Sequence, residues 1–150
     1  MIWDVAIVGG GPAGLAAALE ARRVGCSVVV LDGSELPVDK ACGEGLMPAG
    51  LAALERLGVR AKINPEDSAP FAAIRYVQED GRYVEGRLCP PGGLGIRRLA
   101  LSQAMADRAR EVGVELFGGS AVRSHAIDAQ GVTLQTDARE LRASLLVAAD

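Results

Sequence analysis

The sequence predicts an α/β fold built on a central parallel sheet, and three consecutive stretches predict it. DVAIVGG, near the N-terminus, carries Val5, Ala6, Ile7 and Val8 as a continuous apolar run closed by glycine. An unbroken rather than alternating run suits a strand covered on both faces. GPAGLAAALEARRVG follows, with Leu15, Ala16, Leu19 and Val24 at helical spacing and Gly25 as a C-terminal stop. CSVVVLD is then a second buried strand, ending at Asp32. Together they form a strand-helix-strand unit whose crossover is expected to be right-handed.

Further along, MPAGLAALERLGV predicts a short helix with Leu51, Leu54 and Leu57 on one side. AAIRYVQEDGRYVEGRL alternates as a β-hairpin does, with Asp80-Gly81 as a two-residue turn. PPGG at 90–93 breaks the chain, and a second amphipathic helix over about 97–112 carries Leu101, Met105, Ala109 and Val112. The last third reads as strands: VELFGG, SAVRSHAID, GVTLQT and the apolar LLVAAD. The segment at about 65–96 looks like an excursion from the α/β core, an element of a second lobe that contacts substrate.

Composition narrows the function. At 150 residues, 49% hydrophobic and 23% charged, the chain suits one soluble domain with its own core. Few aromatics and a net charge of −3, with no basic block, argue against a nucleic-acid partner. No apolar run approaches the ~20 residues that span a bilayer, and no basic n-region opens the chain, so neither a transmembrane segment nor a signal peptide is expected. Cys26, Cys42 and Cys89 are widely spaced, and His125 is the single histidine. That pattern points to no metal site, and free thiols suit a reducing, cytoplasmic setting.

The chemistry is carried by GxGxxG. Gly9, Gly11 and Gly14 sit between a predicted strand and a predicted helix, with Pro12 and Ala13 inside the motif. Gly9 permits the tight turn, Gly11 lets backbone approach a pyrophosphate, and Gly14 allows close helix-strand packing. The helix N-terminus adds free N–H groups and a favourable dipole. Asp32, 18 residues beyond Gly14, ends the second strand where a carboxylate can accept bonds from ribose hydroxyls, and Gly33 follows it. These residues predict a Rossmann-like FAD/NAD(P)-binding domain with a central parallel sheet, flanking helices and an antiparallel β crossover. No P-loop Lys-Ser/Thr is present, so ATP hydrolysis is disfavoured. Binding chemistry alone leaves NAD and FAD open.

DVAIVGGGPAGLAAALEARRVGCSVVVLD resembles the N-terminus of the flavoprotein class that includes aromatic hydroxylases of the p-hydroxybenzoate hydroxylase type and geranylgeranyl reductases. The likeness extends over nearly the whole chain. GIRRLALSQAMADRAREVGVEL is similar to the family's second helix, which implies a flavin or ribityl contact for Arg98. SAV resembles a strand whose backbone contacts adenine, which implicates Val122. LLVAAD resembles a strand ending in Asp-Gly on the pyrophosphate and nicotinamide side, which implicates Asp150. Where the family usually places Glu at the second strand's end, this chain has the shorter Asp32. By this resemblance residues 1–150 are the N-terminal, FAD-binding portion of a longer enzyme.

DKACGEGLMPAG, the loop after the second strand, resembles the Lys/Arg-x-Cys-Gly loop of the reductase and bacterial hydroxylase branches. Gly43 and Gly45 would let backbone lie against a ring system without Cβ interference. Lys40 is a candidate partner for a flavin phosphate or for Asp32. Cys42 is read as a small packing residue beside cofactor or substrate rather than a redox thiol, because it has no near partner cysteine. Glu44 could face substrate or be a solvated loop carboxylate. His125 is read as a half-exposed strand residue, so no catalytic residue is assigned.

The cofactor-binding candidates are therefore Gly9, Gly11, Pro12, Ala13, Gly14, Asp32, Gly33, Lys40, Cys42, Gly43, Arg98, Val122 and Asp150. The expected activity is that of an FAD-dependent oxidoreductase acting on an apolar small molecule. Its flavin would be reduced by NAD(P)H and used to hydroxylate an aromatic, polyketide or isoprenoid-like substrate. The alternatives are geranylgeranyl-reductase-like reduction of carbon-carbon double bonds, an NAD-linked dehydrogenase, or a non-catalytic nucleotide-binding module.

Overall fold

In the computed structural model, which describes residues 2–40, 42 and 44–149, the first apolar run is strand β1 (Ile2–Val8), the centre of a six-stranded sheet. Helix α1 (Pro12–Arg23) leads from it to β2 (Val28–Leu31), which pairs parallel to β1. β2 is buried at every position, as its unbroken VVVL run requires. β8 (Glu115–Phe117) lies parallel on the far side of β2. On the other flank β1 pairs parallel with β11 (Glu140–Ala148) from Arg142 to Ala148. The first half of β11 pairs antiparallel with β10 (Gly131–Thr136), which pairs antiparallel with β9 (Val122–Asp128). The final order is β8-β2-β1-β11-β10-β9.

Alternate residues of the two central strands feed two cores. Val5, Ile7, Val28 and Val30 face the helical side and pack with Leu15, Leu19, Leu54, Leu101 and Met105. Ala6, Val29 and Leu31 face the other way and pack with Trp3, Val132, Leu134 and Ala143. The antiparallel β crossover therefore supplies apolar partners for the face that helices leave bare.

α2 (Pro48–Arg56) buries Leu54, and Leu57 just beyond it is also buried, with Leu51 packed against the same core. α3 (Arg98–Glu111) buries Leu101, Met105 and Ala109. One helical expectation is corrected: Val24 does not face the core but is 68% exposed. α1 stops at Arg23, Val24 is its C-cap, and Gly25 turns the chain at φ 92.

Residues 65–96 divide into two parts. β4 (Ser68–Phe71), β7 (Gly93–Ile96) and the short β3 (Gly45–Leu46) form a three-stranded sheet in the order β3-β7-β4. Leu94 and Ile96 of β7 are buried in the main core. β5 (Ala73–Val77) and β6 (Tyr83–Arg87) pair only with each other, with Tyr76, Val77, Tyr83 and Val84 exposed. The connection between them is longer than the expected two-residue turn. The Gln78 N–H donates to the Arg82 carbonyl, and the Gly81 N–H to the Gln78 carbonyl, leaving a three-residue loop with Gly81 at φ 83. Asp80 stabilises it by accepting from the Arg82 backbone N–H and Nε.

Candidate functional site

The carboxyl ends of β1, β2 and β11 come out level: Val8 stands opposite Leu31 on one side and Ala148 on the other. The chain leaves β1 for α1 at this edge, with β2 and β11 departing on opposite flanks. In open α/β sheets such a crevice is where ligands bind. The glycine loop occupies it. Gly9 turns at φ 111 and its N–H donates to the Leu31 carbonyl. Gly14 is buried so tightly against the turn that an added Cβ would lie 1.9 Å from the Gly9 carbonyl oxygen. Gly11 is different: it is the α1 N-cap, with extended backbone and no side-chain cap, and the nearest atom to an added Cβ is an Arg98 Nη2 at 4.0 Å. Pro12 begins the helix and has no N–H to waste. The first intrahelical acceptance at this end is Leu15 N–H to Gly11 carbonyl, so the Ala13 and Gly14 amides point out of the helix end as an anion-ready pair.

Asp32 is buried, and both carboxylate oxygens accept backbone N–H groups, from Gly10 at 2.7 Å and Ser34 at 2.7 Å. It thus braces the glycine loop from below. Gly10 has no room for a side chain, since a Cβ there would lie 2.4 Å from Leu36 Cδ2. The Ser120 N–H donates to the Asp32 carbonyl, and an added Cβ on Gly33 would meet Ala121 Cβ at 3.4 Å. Val122, two residues past Ser120, starts β9 on this same side. Asp32, Gly33 and Val122 are therefore gathered at one end of the glycine loop.

At the other end Pro12, Lys40, Cys42, Arg98 and Leu101 line a cleft of about 380 Å³, completed by Glu44, Leu46 and Ile96. Arg98 is 7% exposed, and its Nε and Nη1 are buried with no hydrogen-bond partner among the described residues. A buried guanidinium with unmet donors is costly unless a ligand satisfies them. The Cys42 thiol is exposed and accepts the Glu44 N–H at 3.3 Å. His125 sits on β9 exposed and away from this cleft, so it is more exposed than expected. Gly43 and Asp150 lie outside the described residues.

Two contributors were not among the expected site residues. Gly10 is not a GxGxxG position, although GGG shows a third glycine beside the motif. Glu44 was weighed without a role, and nothing local reveals its partner, which lies 54 residues away in Arg98.

The fit to an adenine dinucleotide is good on these observations: an open helix end, a buried carboxylate at one end, and unmet guanidinium donors at the other. Asp32→Asn is expected to destabilise the cofactor-free chain by about 1–3 kcal/mol, because either amide orientation sets an NH₂ against a backbone N–H. Thermal melts check this, and an unchanged midpoint would refute the bracing role.

Residues 3–150 match the family described as FAD binding domain. The chain is 35% identical over 154 aligned residues to a menaquinone reductase of Mycobacterium tuberculosis, an alignment covering 98% of this chain and 37% of that protein. It is 31% identical over 172 aligned residues to digeranylgeranylglycerophospholipid reductase 1 of Methanopyrus kandleri, covering 100% of this chain and 40% of that one. Among solved structures, the p-nitrophenol 4-monooxygenase PnpA of Pseudomonas putida superposes with a TM-score of 0.86 at 26% identity, over 99% of this chain and 41% of its own. The chain thus spans well under half the length of each of these relatives. With a mostly parallel sheet, a glycine loop at its carboxyl edge and this match along almost its entire length, the chain belongs to the FAD binding domain family.

Proposed function

We propose that this chain holds FAD for a flavin oxidoreductase that uses NAD(P)H as its electron donor and acts on an apolar, isoprenoid-like small molecule. The observation that carries the cofactor reading is the pair of unmet Arg98 donors beside the open end of α1. In this reading the Ala13 and Gly14 amides and the dipole of α1 receive the pyrophosphate. Asp32 accepts a ribose hydroxyl on lone pairs left over from its two backbone bonds. The segment at Val122 faces the adenine, and Arg98 with Lys40 serves the flavin side. When bound, FAD supplies two-electron redox chemistry toward O₂ or an unsaturated carbon. The chain's own groups bind and orient it, and no described side chain is assigned as acid or base.

Reduction of carbon-carbon double bonds is the first reading, supported by the likeness to the menaquinone reductase and to the digeranylgeranylglycerophospholipid reductase. Leu46, Ile96 and Leu101 give the cleft an apolar wall that suits such a molecule. Hydroxylation is the second reading, supported by the likeness to PnpA. The exposed β5–β6 hairpin, with its tyrosines and valines, is read as the part that reaches toward substrate. Free Cys26, Cys42 and Cys89 fit a reducing, cytoplasmic setting, and among the described residues no helix is long and apolar enough to cross a membrane.

Titrating FAD into the purified chain tests the first step: saturable quenching of flavin fluorescence is expected, and its absence, or preferential binding of NAD, would overturn the cofactor reading. Product masses from turnover with NAD(P)H then separate the two chemistries. A gain of two hydrogens without O₂ supports reduction. A gain of one oxygen that requires O₂ supports hydroxylation instead.

A further inference from the structure

We infer that Glu44 is a positioning residue, a latch that fixes both walls of the cleft at once; its bearing on FAD rests on the function proposed above. Glu44 is exposed, which by itself suggests an ordinary solvated carboxylate. Its bonds say otherwise. Its carbonyl accepts the Ile96 N–H at 2.7 Å, and its Oε1 accepts the Arg98 N–H at 2.8 Å. Its own N–H donates to Cys42 Sγ. One residue therefore ties the loop carrying Lys40 and Cys42 to the junction of β7 and α3.

Two further observations mark the arrangement as held rather than incidental. Glu44 has φ 51, the single non-glycine residue in the left-handed region among the described residues. That conformation costs energy for a side-chain-bearing residue and persists where surrounding contacts over-determine it. α3, for its part, lacks a cap of its own, because the Arg97 side chain at its N-cap pairs with Asp67 and makes no capping bond to the helix. The Glu44 carboxylate takes that place from across the cleft, with a charge that suits the positive end of the helix.

The consequence concerns Arg98. It is the first residue of α3, and the amide that Glu44 holds belongs to the same residue whose guanidinium nitrogens lie unmet in the cleft. Fixing that amide fixes where the guanidinium side chain starts. Of the other two Glu44 bonds, the one from Ile96 holds the end of β7 beside Arg98, and the one to Cys42 holds the facing loop.

Residue-resolved amide exchange on the cofactor-free chain, paired with FAD titration, tests the latch in Glu44→Gln, Glu44→Ala and Glu44→Gly. Glutamine keeps an acceptor oxygen, so wild-type protection at Arg98 and Ile96 and FAD affinity within a few-fold are expected. Alanine is expected to speed exchange at both amides and to weaken FAD binding about 10-fold, on the scale of a lost cap plus a loosened wall. Glycine relieves the backbone strain but lacks the carboxylate, so it should behave like alanine. The proposal falls if alanine exposes the Arg98 amide alone, leaving Ile96 protected and FAD affinity intact, because Glu44 is then only a helix cap. It also falls if glycine matches wild type. Should the wild-type chain fail to bind FAD, the cofactor reading fails, while the exchange pattern still decides the latch.

Discussion

Replacing Gly14 by alanine is expected to abolish the native fold around β1 and α1, at a cost above ~3 kcal/mol. The added methyl carbon would stand 1.9 Å from the Gly9 carbonyl oxygen and 3.0 Å from the Gly9 carbonyl carbon. Both are backbone atoms, so no rotamer change relieves the overlap. The Gly9 peptide cannot retreat either, because its N–H is bonded to Leu31 and its φ of 111 already sits where only glycine is comfortable. Gly11→Ala is the matched control. Its added carbon meets nothing nearer than 4.0 Å, so the chain should fold with near-normal stability and lose ligand binding instead. Denaturant unfolding of both variants, with FAD titration of Gly11→Ala, checks the pair. Equal stability losses in the two would show that the glycines are not divided between packing and ligand approach.

Arg98→Met should move stability and binding in opposite directions. Arg98 is 7% exposed, with Nε and Nη1 unmatched among the described residues, so the cofactor-free chain carries an uncompensated polar burden. Methionine fills similar space with no donors, and the free chain is expected to gain about 1–3 kcal/mol. FAD affinity should fall roughly 100-fold if two charge-assisted bonds are lost. Calorimetric melting without cofactor and equilibrium titration with it supply the two readings. A variant that melts lower and still binds FAD normally would show that Arg98 is a structural residue whose partners lie within the protein. The contrast with Glu44→Ala is informative, since that change leaves the guanidinium in place and removes only what positions it.

At the other end of the glycine loop, Asp32 illustrates how one short side chain can join two backbone segments. A longer carboxylate would reach further along the crevice. Asp32 instead stays close enough for both oxygens to take backbone amides, one from the glycine loop and one from the turn after β2. The same turn is secured further on by Ser102 Oγ of α3, which donates to the buried Val38 carbonyl at 2.9 Å. The strand-to-loop passage between Asp32 and Lys40 is thus anchored to the glycine loop at its start and to α3 near its end.

What the amino-acid order determined by itself is local. Four buried β2 residues in a row, a helix opened by proline after glycine, and a carboxylate at the strand end are all legible, because each depends on neighbours within a few residues. The glycine motif is legible for the same reason. The resemblance to flavoproteins supplied Arg98, but no pattern in the sequence revealed that its guanidinium would be buried and unmatched. The hairpin turn came out one residue longer than the pattern suggested, since Asp80 bonds forward to Arg82. The pairing of Gly45-Leu46 with β7, the use of Gly10 as a donor to Asp32, and the reach of Glu44 to Arg98 were decided only by tertiary structure. Those contacts join segments 22 to 54 residues apart. Their geometry is set by how α3 and the two sheets pack around the shared core, and a side chain's own sequence neighbourhood carries no record of that packing.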